Sequence, residues 1–312
     1  MVAPTVSIFC ITYNQQDFIN DCIDSVLKQE TSFDWVLLIN DDNSTDNTAD
    51  ICRIYQEQYS GKIIFSSNSE NLGLNKNMFL TYQKCIDTGS KYVAQVAGDD
   101  YWIDPFKLQK QFDFMELHPE VALCYTNAYA FFNGNEGQKE IMIKENPKQN
   151  VFDLEYYISK GCFLIPALTI FFRNDAFPQP VPDFICQAFN SDWALNILFM
   201  QKGKAAYMDE ITAMYRRHRG GITSSTSLSS IIHNGIALSK NLDKHFNYKY
   251  HHVFGKTQQR YHRLILFYFE KKKYIKGLYW LFFSFFRNPL AFFADTYFLK
   301  TLYKVTFTGH EV

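Results

Sequence analysis

Two adjacent carboxylates, Asp99 and Asp100, stand in the middle of residues 91–105 (KYVAQVAGDDYWIDP). Side by side, such groups repel each other unless a cation or a hydrogen-bonded ligand shares them. Oxygen-only ligands suit a hard ion such as Mg²⁺ or Mn²⁺, often held together with substrate phosphates. The plainer alternative is a solvated acidic turn capping the next helix, and an Asp-Asp match alone does not separate the two. Three more segments carry polar groups that apolar packing does not require: Thr12-Tyr13-Asn14, Asp41-Asp42 and Asp192. Each has a structural use as well. Asn14 can end a strand, Asp41 and Asp42 can cap a helix, and Asp192 can be an N-cap.

The elements that must position these groups follow from the apolar pattern. Residues 92–97 form an apolar run too short for a helix and stop at Gly98, the mark of a buried parallel strand. Asp104-Pro105 then reads as an N-cap with proline at the first helical position. Residues 6–13 (VSIFCITY) predict a first strand, and 17–29 a helix with Phe18, Cys22, Ile23, Val26 and Leu27 on one face. Residues 35–39 predict a second buried strand, with Thr45 or Asp46 capping a helix to about 59. A short strand over 62–66 and a helix over 74–88 come next. Four strand–helix alternations predict a doubly wound parallel sheet, in which strand ends of this kind share one rim.

Beyond this, 121–132 reads as a strand, 133–150 as a mobile loop, and 164–172 as a strand with Pro166 near its start. Asn190 to about 201 reads as a helix, 205–208 and 211–215 as two short strands, and 216–221 (RRHRGG) as a basic, glycine-hinged loop. From Ser229 the chain reads as helical. Residues 261–307 are about one-third aromatic, yet no window reaches the roughly 18 uninterrupted apolar residues of a spanning helix.

Composition narrows the classes. The 312 residues are 47% hydrophobic and carry a net charge of −1, which argues against a general nucleic-acid binder. The charge is polarised: from Lys240 onward thirteen Lys and Arg face four Asp and Glu, leaving +9 there and −10 before it. Basic and aromatic residues together suit an anionic membrane surface, and a helical cap packed on protein is the alternative. Seven dispersed Cys form no CxxC and read as reduced core residues of a cytosolic chain. The N-terminus shows no secretory pattern. No glycine follows strand one and no GxxxxGK[ST] occurs, which ranks a nucleotidyltransferase last and makes a P-loop enzyme an unlikely class.

The segments TYNQQDFINDCIDSVLKQ, INDDNSTDNT, NLGLNKN and GDDYWIDPFKLQKQ, followed by SDWALNI and YRRHRGGITSS, occur in an order that resembles the family 2 glycosyltransferases. The resemblance covers roughly residues 5–225. It implies the GT-A fold: a Rossmann-like, mostly parallel sheet flanked by helices, here over residues 1–228, with 229–312 as a helical extension. It implies transfer of a sugar, with inversion, from a nucleotide diphosphate donor to the hydroxyl of a glycan or lipid-linked acceptor, with Mn²⁺ or Mg²⁺ and a UDP-sugar ahead of a GDP-sugar. Thr12, Tyr13 and Asn14 would line the nucleotide pocket, Asp41 or Asp42 would meet base or ribose, and Lys76 would lie near the donor. Asp99 and Asp100 would share ribose, sugar hydroxyls and metal. Asp192 would be the catalytic base, while His218 and Arg216 would approach metal or diphosphate. The family's acidic motif often reads Asp-x-Asp, and Ala97 occupies the first position here. The resemblance further implies cell-surface polysaccharide or lipopolysaccharide assembly at the inner membrane face. A reading of another class keeps the same fold as a non-catalytic nucleotide-sugar-binding or scaffold subunit.

Overall fold

The computed structural model describes residues 3–135, 137–161, 165–188, 191–218, 220–221, 228–255, 258–271, 273–287, 292–293 and 296–307. The chain divides into two compact units, one of residues 1–157, 162–187 and 191–224, the other of 158–161, 188–190 and 225–312.

The first unit is built on a mixed, mostly parallel sheet. Strands β1 (Val6–Thr12), β2 (Trp35–Asp41) and β4 (Tyr92–Ala97) are almost wholly buried, because helices cover both faces of a parallel sheet. Helices α1 (Ile19–Leu27), α2 (Thr48–Gln58) and α3 (Leu74–Asp87) connect them, and β3 (Ile63–Ser67) forms the half-exposed edge. After β4 come β5 (Tyr101–Trp102), α4 (Lys107–Leu117), β6 (Val121–Phe132), β7 (Lys139–Ile141), β8 (Val151–Phe152), α5 (Leu154–Lys160) and β9 (Phe171–Arg173). Then α6 (Asp183–Cys186) and α7 (Ser191–Phe199) lead into β10 (Lys204–Arg217). The spatial order is β3-β2-β1-β4-β9-β6-β10-β5. The chain moves outward from β1 through β2 to β3, then returns to place β4 on the other side of β1. That reversal makes β1/β4 the switch point, where ligands bind at the carboxyl ends of the strands.

Three sequence expectations need correction. The strand expected over 164–172 is a single 3₁₀ turn, Ala167–Thr169, and only Phe171–Arg173 joins the sheet, antiparallel to both β4 and β6. Pro166 has no N–H for a ladder, and the Thr169 hydroxyl bonds the carbonyls of Pro166 and Thr126 instead. Leu164 lies outside the described residues. The two short strands expected at 205–208 and 211–215 are one strand, β10, whose pairing with β6 slips between Tyr207 and Ile211. The polar Asp209-Glu210 that breaks the apolar pattern marks that bulge, not a chain turn. Within the expected loop 133–150, Lys139–Ile141 pairs antiparallel with β6. Asn190, Arg219 and most of the Ser/Thr-rich stretch 223–230 lie outside the described residues.

The second unit contains α8 (Leu228–His245), α9 (His251–Gly255), α10 (Gln258–Glu270), α11 (Tyr274–Arg287) and α12 (Thr296–Phe307). Ile232 and Ile236 of α8 pack with Tyr261, Leu264 and Tyr268 of α10, while Ile265 and Phe269 pack with Phe292 and Phe298. Among the described residues no helix is long and apolar enough to cross a membrane.

Candidate active site

The carboxyl ends of β1, β2 and β4 lie in register, Thr12 beside Asp41 and Ile11 beside Ala97. Beyond them the main chain stays tied: Asp42 N donates to Thr12 O at 2.9 Å and Gly98 N to Ile11 O at 3.0 Å. A Cβ on Gly98 would lie 2.4 Å from Gln15 Oε1 and 2.9 Å from Thr12 Oγ1. The acidic turn therefore sits so close to the β1 turn that any larger residue would displace the Gln15 amide and crowd the Thr12 hydroxyl. Gln15 belongs to this contact, since the Thr12 hydroxyl donates to its Oε1 at 2.8 Å.

Asn14 takes a left-handed conformation (φ 51°), which asparagine tolerates better than most residues. Its N–H donates to Ser44 Oγ and its side-chain oxygen accepts from Thr45 N, both at 2.8 Å, pinning the β1 turn to the β2 turn. Tyr13 between them is exposed. Asp46, one of the two expected caps, accepts from Thr48 N at 3.0 Å at the start of α2.

Asp41 and Asp42 are buried and their carboxylates are taken up by protein donors. Asp41 accepts from Ser44 N at 3.0 Å, from Ser67 Oγ at 2.8 Å and from the Ser44 hydroxyl. Asp42 accepts from Leu72 N and Gly73 N at 2.9 Å and from Asn68 Nδ2 at 2.8 Å. It thus shapes the turn that leads into α3, where Lys76 is exposed.

Asp99 and Asp100 part company. Asp100 is buried and accepts from Arg216 N at 2.9 Å. Burial, then the Asp99 charge beside it, push its carboxyl well above the usual range. Asp99 is half-exposed, and its Oδ2 stands 3.0 Å from His218 Nε2. The His218 ring leans on Phe18, with centroids 4.9 Å apart. Arg216 itself is buried: Nε donates to Asp99 O (3.0 Å), Nη1 to Asn133 Oδ1 (3.1 Å) and Nη2 to Asp21 Oδ2 (2.7 Å). Arg217 is half-exposed and pairs with Glu140 at 2.5 Å.

Asp192 enters from another direction, in the first turn of α7. Its neighbour Ser191 donates its hydroxyl to Asn75 Oδ1 at 3.0 Å, which sets α7 against the start of α3. Burial raises the Asp192 carboxyl, opposed by the N–H groups of Trp193 and Asp192. Its charge also reaches Tyr82, whose ring stacks on Phe9 of β1 at 4.3 Å. The sheet therefore gathers Thr12, Asn14, Asp41, Asp42, Asp99, Asp100, Arg216 and His218 along one rim, and α7 brings Asp192 to the α3 side of it. Sequence reasoning left out Phe18, Asp21 and Asn133. Asp21 is an ordinary polar residue of an amphipathic helix, and its partner lies 195 residues away, so no local pattern marks it.

The arrangement has known counterparts. An uncharacterized Mycobacterium tuberculosis protein is 27% identical over 221 residues, 70% of this chain and 61% of that protein. The chain thus spans less than two thirds of that relative's length. The putative teichuronic acid biosynthesis glycosyltransferase TuaG of Bacillus subtilis is 28% identical over 227 residues, 71% of this chain and 82% of TuaG. Among solved structures, S. aureus TarS 1-349 in complex with UDP-GlcNAc aligns with TM-score 0.54 at 17% identity, covering 97% of this chain and 90% of that one. The mannosyltransferase PcManGT from Pyrobaculum calidifontis, in complex with GDP-Man and Mn²⁺, aligns with TM-score 0.53 at 13% identity, covering 97% and 81%. These likenesses establish the GT-A-like fold. With the model of glycosyl transferase family 2 matching residues 7–177, more than half of this chain, the chain belongs to that family.

Proposed function

We propose that this chain transfers a sugar from a nucleoside-diphosphate donor to an acceptor hydroxyl in one in-line displacement. The observation that carries the reading is the Asp99–His218 pair, 3.0 Å apart at the sheet's switch point with the buried Asp100 beside it. Carboxylate oxygens suit Mn²⁺ or Mg²⁺, the imidazole beside them favours Mn²⁺ of the two, and two adjacent carboxylates favour a cation between them. Among the described residues no cluster of three or more His, Cys, Asp or Glu closes around an ion. Asp99 and His218 would hold the metal, with Asp100 behind them, leaving its other positions to phosphate oxygens. When bound, it supplies positive charge to the departing diphosphate.

The protein's own residues do the rest. The turn of Thr12, Tyr13 and Asn14 receives the nucleotide, braced by Asp41 and Asp42, with Lys76 near the donor. Asp192 takes the proton of the acceptor hydroxyl as its oxygen bonds the anomeric carbon, and the old carbon–oxygen bond breaks with its electron pair leaving on the diphosphate. A carboxylate raised by burial is a stronger base than a solvated one. The donor is taken as a UDP-sugar ahead of a GDP-sugar on the likeness to TarS, and the product as cell-surface polysaccharide on the likeness to TuaG.

The reading includes peripheral contact with the inner face of an anionic membrane. Ile275, Leu278, Tyr279, Phe282 and Phe286 recur at helical spacing along α11 and are exposed, Ile275 by 86% and Phe286 by 75%. Exposed Lys271, Lys273 and Lys276 flank the helix start, the side-chain mix of an interfacial helix. Replacing Ile275, Phe282 and Phe286 by Ser should abolish flotation with phosphatidylglycerol vesicles, and undiminished flotation would remove this part of the reading.

A panel of nucleotide sugars, screened with and without Mn²⁺, tests the whole. One donor should turn over in a metal-dependent way, and Asp192→Asn should bind that donor yet fail to transfer. Transfer by Asp192→Asn at the wild-type rate would strip Asp192 of its role, and donor binding with no turnover in the wild type would leave a binding subunit.

A further inference from the structure

Arg216 carries the charge that would attract a diphosphate, but its surroundings give it other work. Its side chain is only 6% exposed, and three of its nitrogens already donate to protein oxygens. The guanidinium lies among three rings, 4.8 Å from Phe18, 5.3 Å from Phe131 and 5.4 Å from Tyr101. Turning it out toward a phosphate would break all three bonds and empty that box.

The same residue holds both members of the acidic pair. Its main-chain N–H bonds the Asp100 carboxylate and its Nε bonds the Asp99 carbonyl. Two residues later the chain delivers His218, whose ring leans on the same Phe18 that faces the guanidinium. Asn133 ties the end of β6 into the arrangement. Among the described residues its side chain forms its ion pair with α1, where Asp21, 57% exposed, takes Nη2 at 2.7 Å.

We infer that Arg216 is a positioning residue, with Asp21 as its counter-ion: together they hold the Asp99–Asp100 turn and the His218 imidazole at their mutual distance. The inference rests on the reading of Asp99 and His218 as metal ligands for its consequence, but not for its geometry. Without Asp21 the buried cation loses its charged partner, a costly state. The guanidinium then has reason to shift toward water, and the acidic turn loosens with it.

The test uses the full chain and two variants, Asp21→Ala and Arg216→Lys, because Asp21 is exposed enough to be removed without unfolding. Amide hydrogen exchange in metal-free protein reads the turn directly, since Asp100 N–H bonds Ala97 O and Gly98 N–H bonds Ile11 O. Asp21→Ala should speed exchange at Gly98 and Asp100 about tenfold and leave the Asp42-bound amides of Leu72 and Gly73 unchanged. Equal exchange at all four, or faster exchange at all four, would overturn the inference. Two binding readouts follow on the same proteins: Mn²⁺ alone, by the paramagnetic resonance of the free ion, and UDP alone in EDTA, by calorimetry. Mn²⁺ should bind about threefold more weakly to Asp21→Ala and about tenfold more weakly to Arg216→Lys, with UDP affinity in EDTA within twofold. The reverse pattern, UDP weakened tenfold and Mn²⁺ unchanged, would make Arg216 a phosphate ligand. If the wild type bound no Mn²⁺, the metal reading would fail while the exchange result would still decide the clamp.

Discussion

Two Asp-Asp pairs end two strands of one sheet, and they are opposite in kind. Asp41-Asp42 closes β2 and Asp99-Asp100 follows β4, with β1 lying between the two strands. The first pair is surrounded by donors: main-chain N–H groups of Ser44, Leu72 and Gly73, the hydroxyls of Ser44 and Ser67, and the Asn68 amide. Among the described residues the second pair receives one main-chain N–H, from Arg216, on Asp100, and Asp99 faces an imidazole. Charge that is already solvated by fixed dipoles holds loops in place. Charge that is not remains available, and a cation can complete it. The dipeptide is identical, so the difference lies wholly in what the following loops bring back to it.

The largest effect that would sharpen this contrast is on turnover. Asp99→Asn should lower donor turnover about 10³-fold, in the range lost with an electrostatic group at the reacting centre, while thermal unfolding stays close to wild type. A rate within tenfold of wild type would make the second pair as structural as the first.

The mirror experiment is Asp42→Ala, read by denaturant unfolding. It strands the Leu72 N–H, at about 1–3 kcal/mol for a donor left unpaired, and leaves Gly73 N–H with Asn71 Oδ1 and the Asn68 amide with Asn77 Oδ1 alone. A loss of about 2 kcal/mol is expected, against less than about 1 kcal/mol for Asp99→Ala, whose side chain is 20% exposed. Equal losses from the two would erase the distinction.

The meeting of the two pairs across β1 depends on Gly98. Gly98→Ala forces the Gln15 amide and the Thr12 hydroxyl to give way, and overpacking of this sort costs about 1–3 kcal/mol. Gln15 is the flexible partner, so the low end of that range applies in unfolding, with a larger proportional loss in donor affinity by calorimetry. Donor affinity unchanged beside a full loss of stability would show the close approach to be packing alone.

How much of this the sequence revealed differs between the two pairs. Both strand ends were readable, because β2 and β4 are unbroken apolar runs ended by polar or glycine residues. Residues 121–132 were readable to the last residue as an apolar run interrupted by Thr126-Asn127 and ended by Asn133-Gly134. The position of the short antiparallel β9 between β4 and β6 was not, since three residues carry no periodicity and Pro166 broke the pattern just before them. Nor was the fate of each carboxylate. Ser44 and Ser67 look like turn residues wherever they fall, and Asp21 meets Arg216 only through the tertiary fold. Spacing along a chain reports which face a residue takes; donor supply is settled by segments far away.

A third buried charge extends the comparison beyond carboxylates, with the smallest expected effect. Lys107 at the start of α4 is fully buried, with Gln111 Oε1 at 2.6 Å and the Trp102 ring at 4.2 Å, and among the described residues no carboxylate forms an ion pair with it. Burial pushes its ammonium down to about 7, against an unfolded value near 10.5. A lowered amine binds fewer protons folded than unfolded between those two values, so stability rises with pH across that window and levels off below it. Unfolding followed from pH 7 to 9 should show wild type gaining up to about 1 kcal/mol per unit relative to Lys107→Met. If the two curves ran parallel, the amine would be keeping its proton in the fold. Gln111 Oε1 and the face of Trp102 would then solvate a buried charge as well as the main-chain donors around Asp42 do, and the supply of fixed dipoles would no longer be what separates a charge that braces the fold from one left open to a partner.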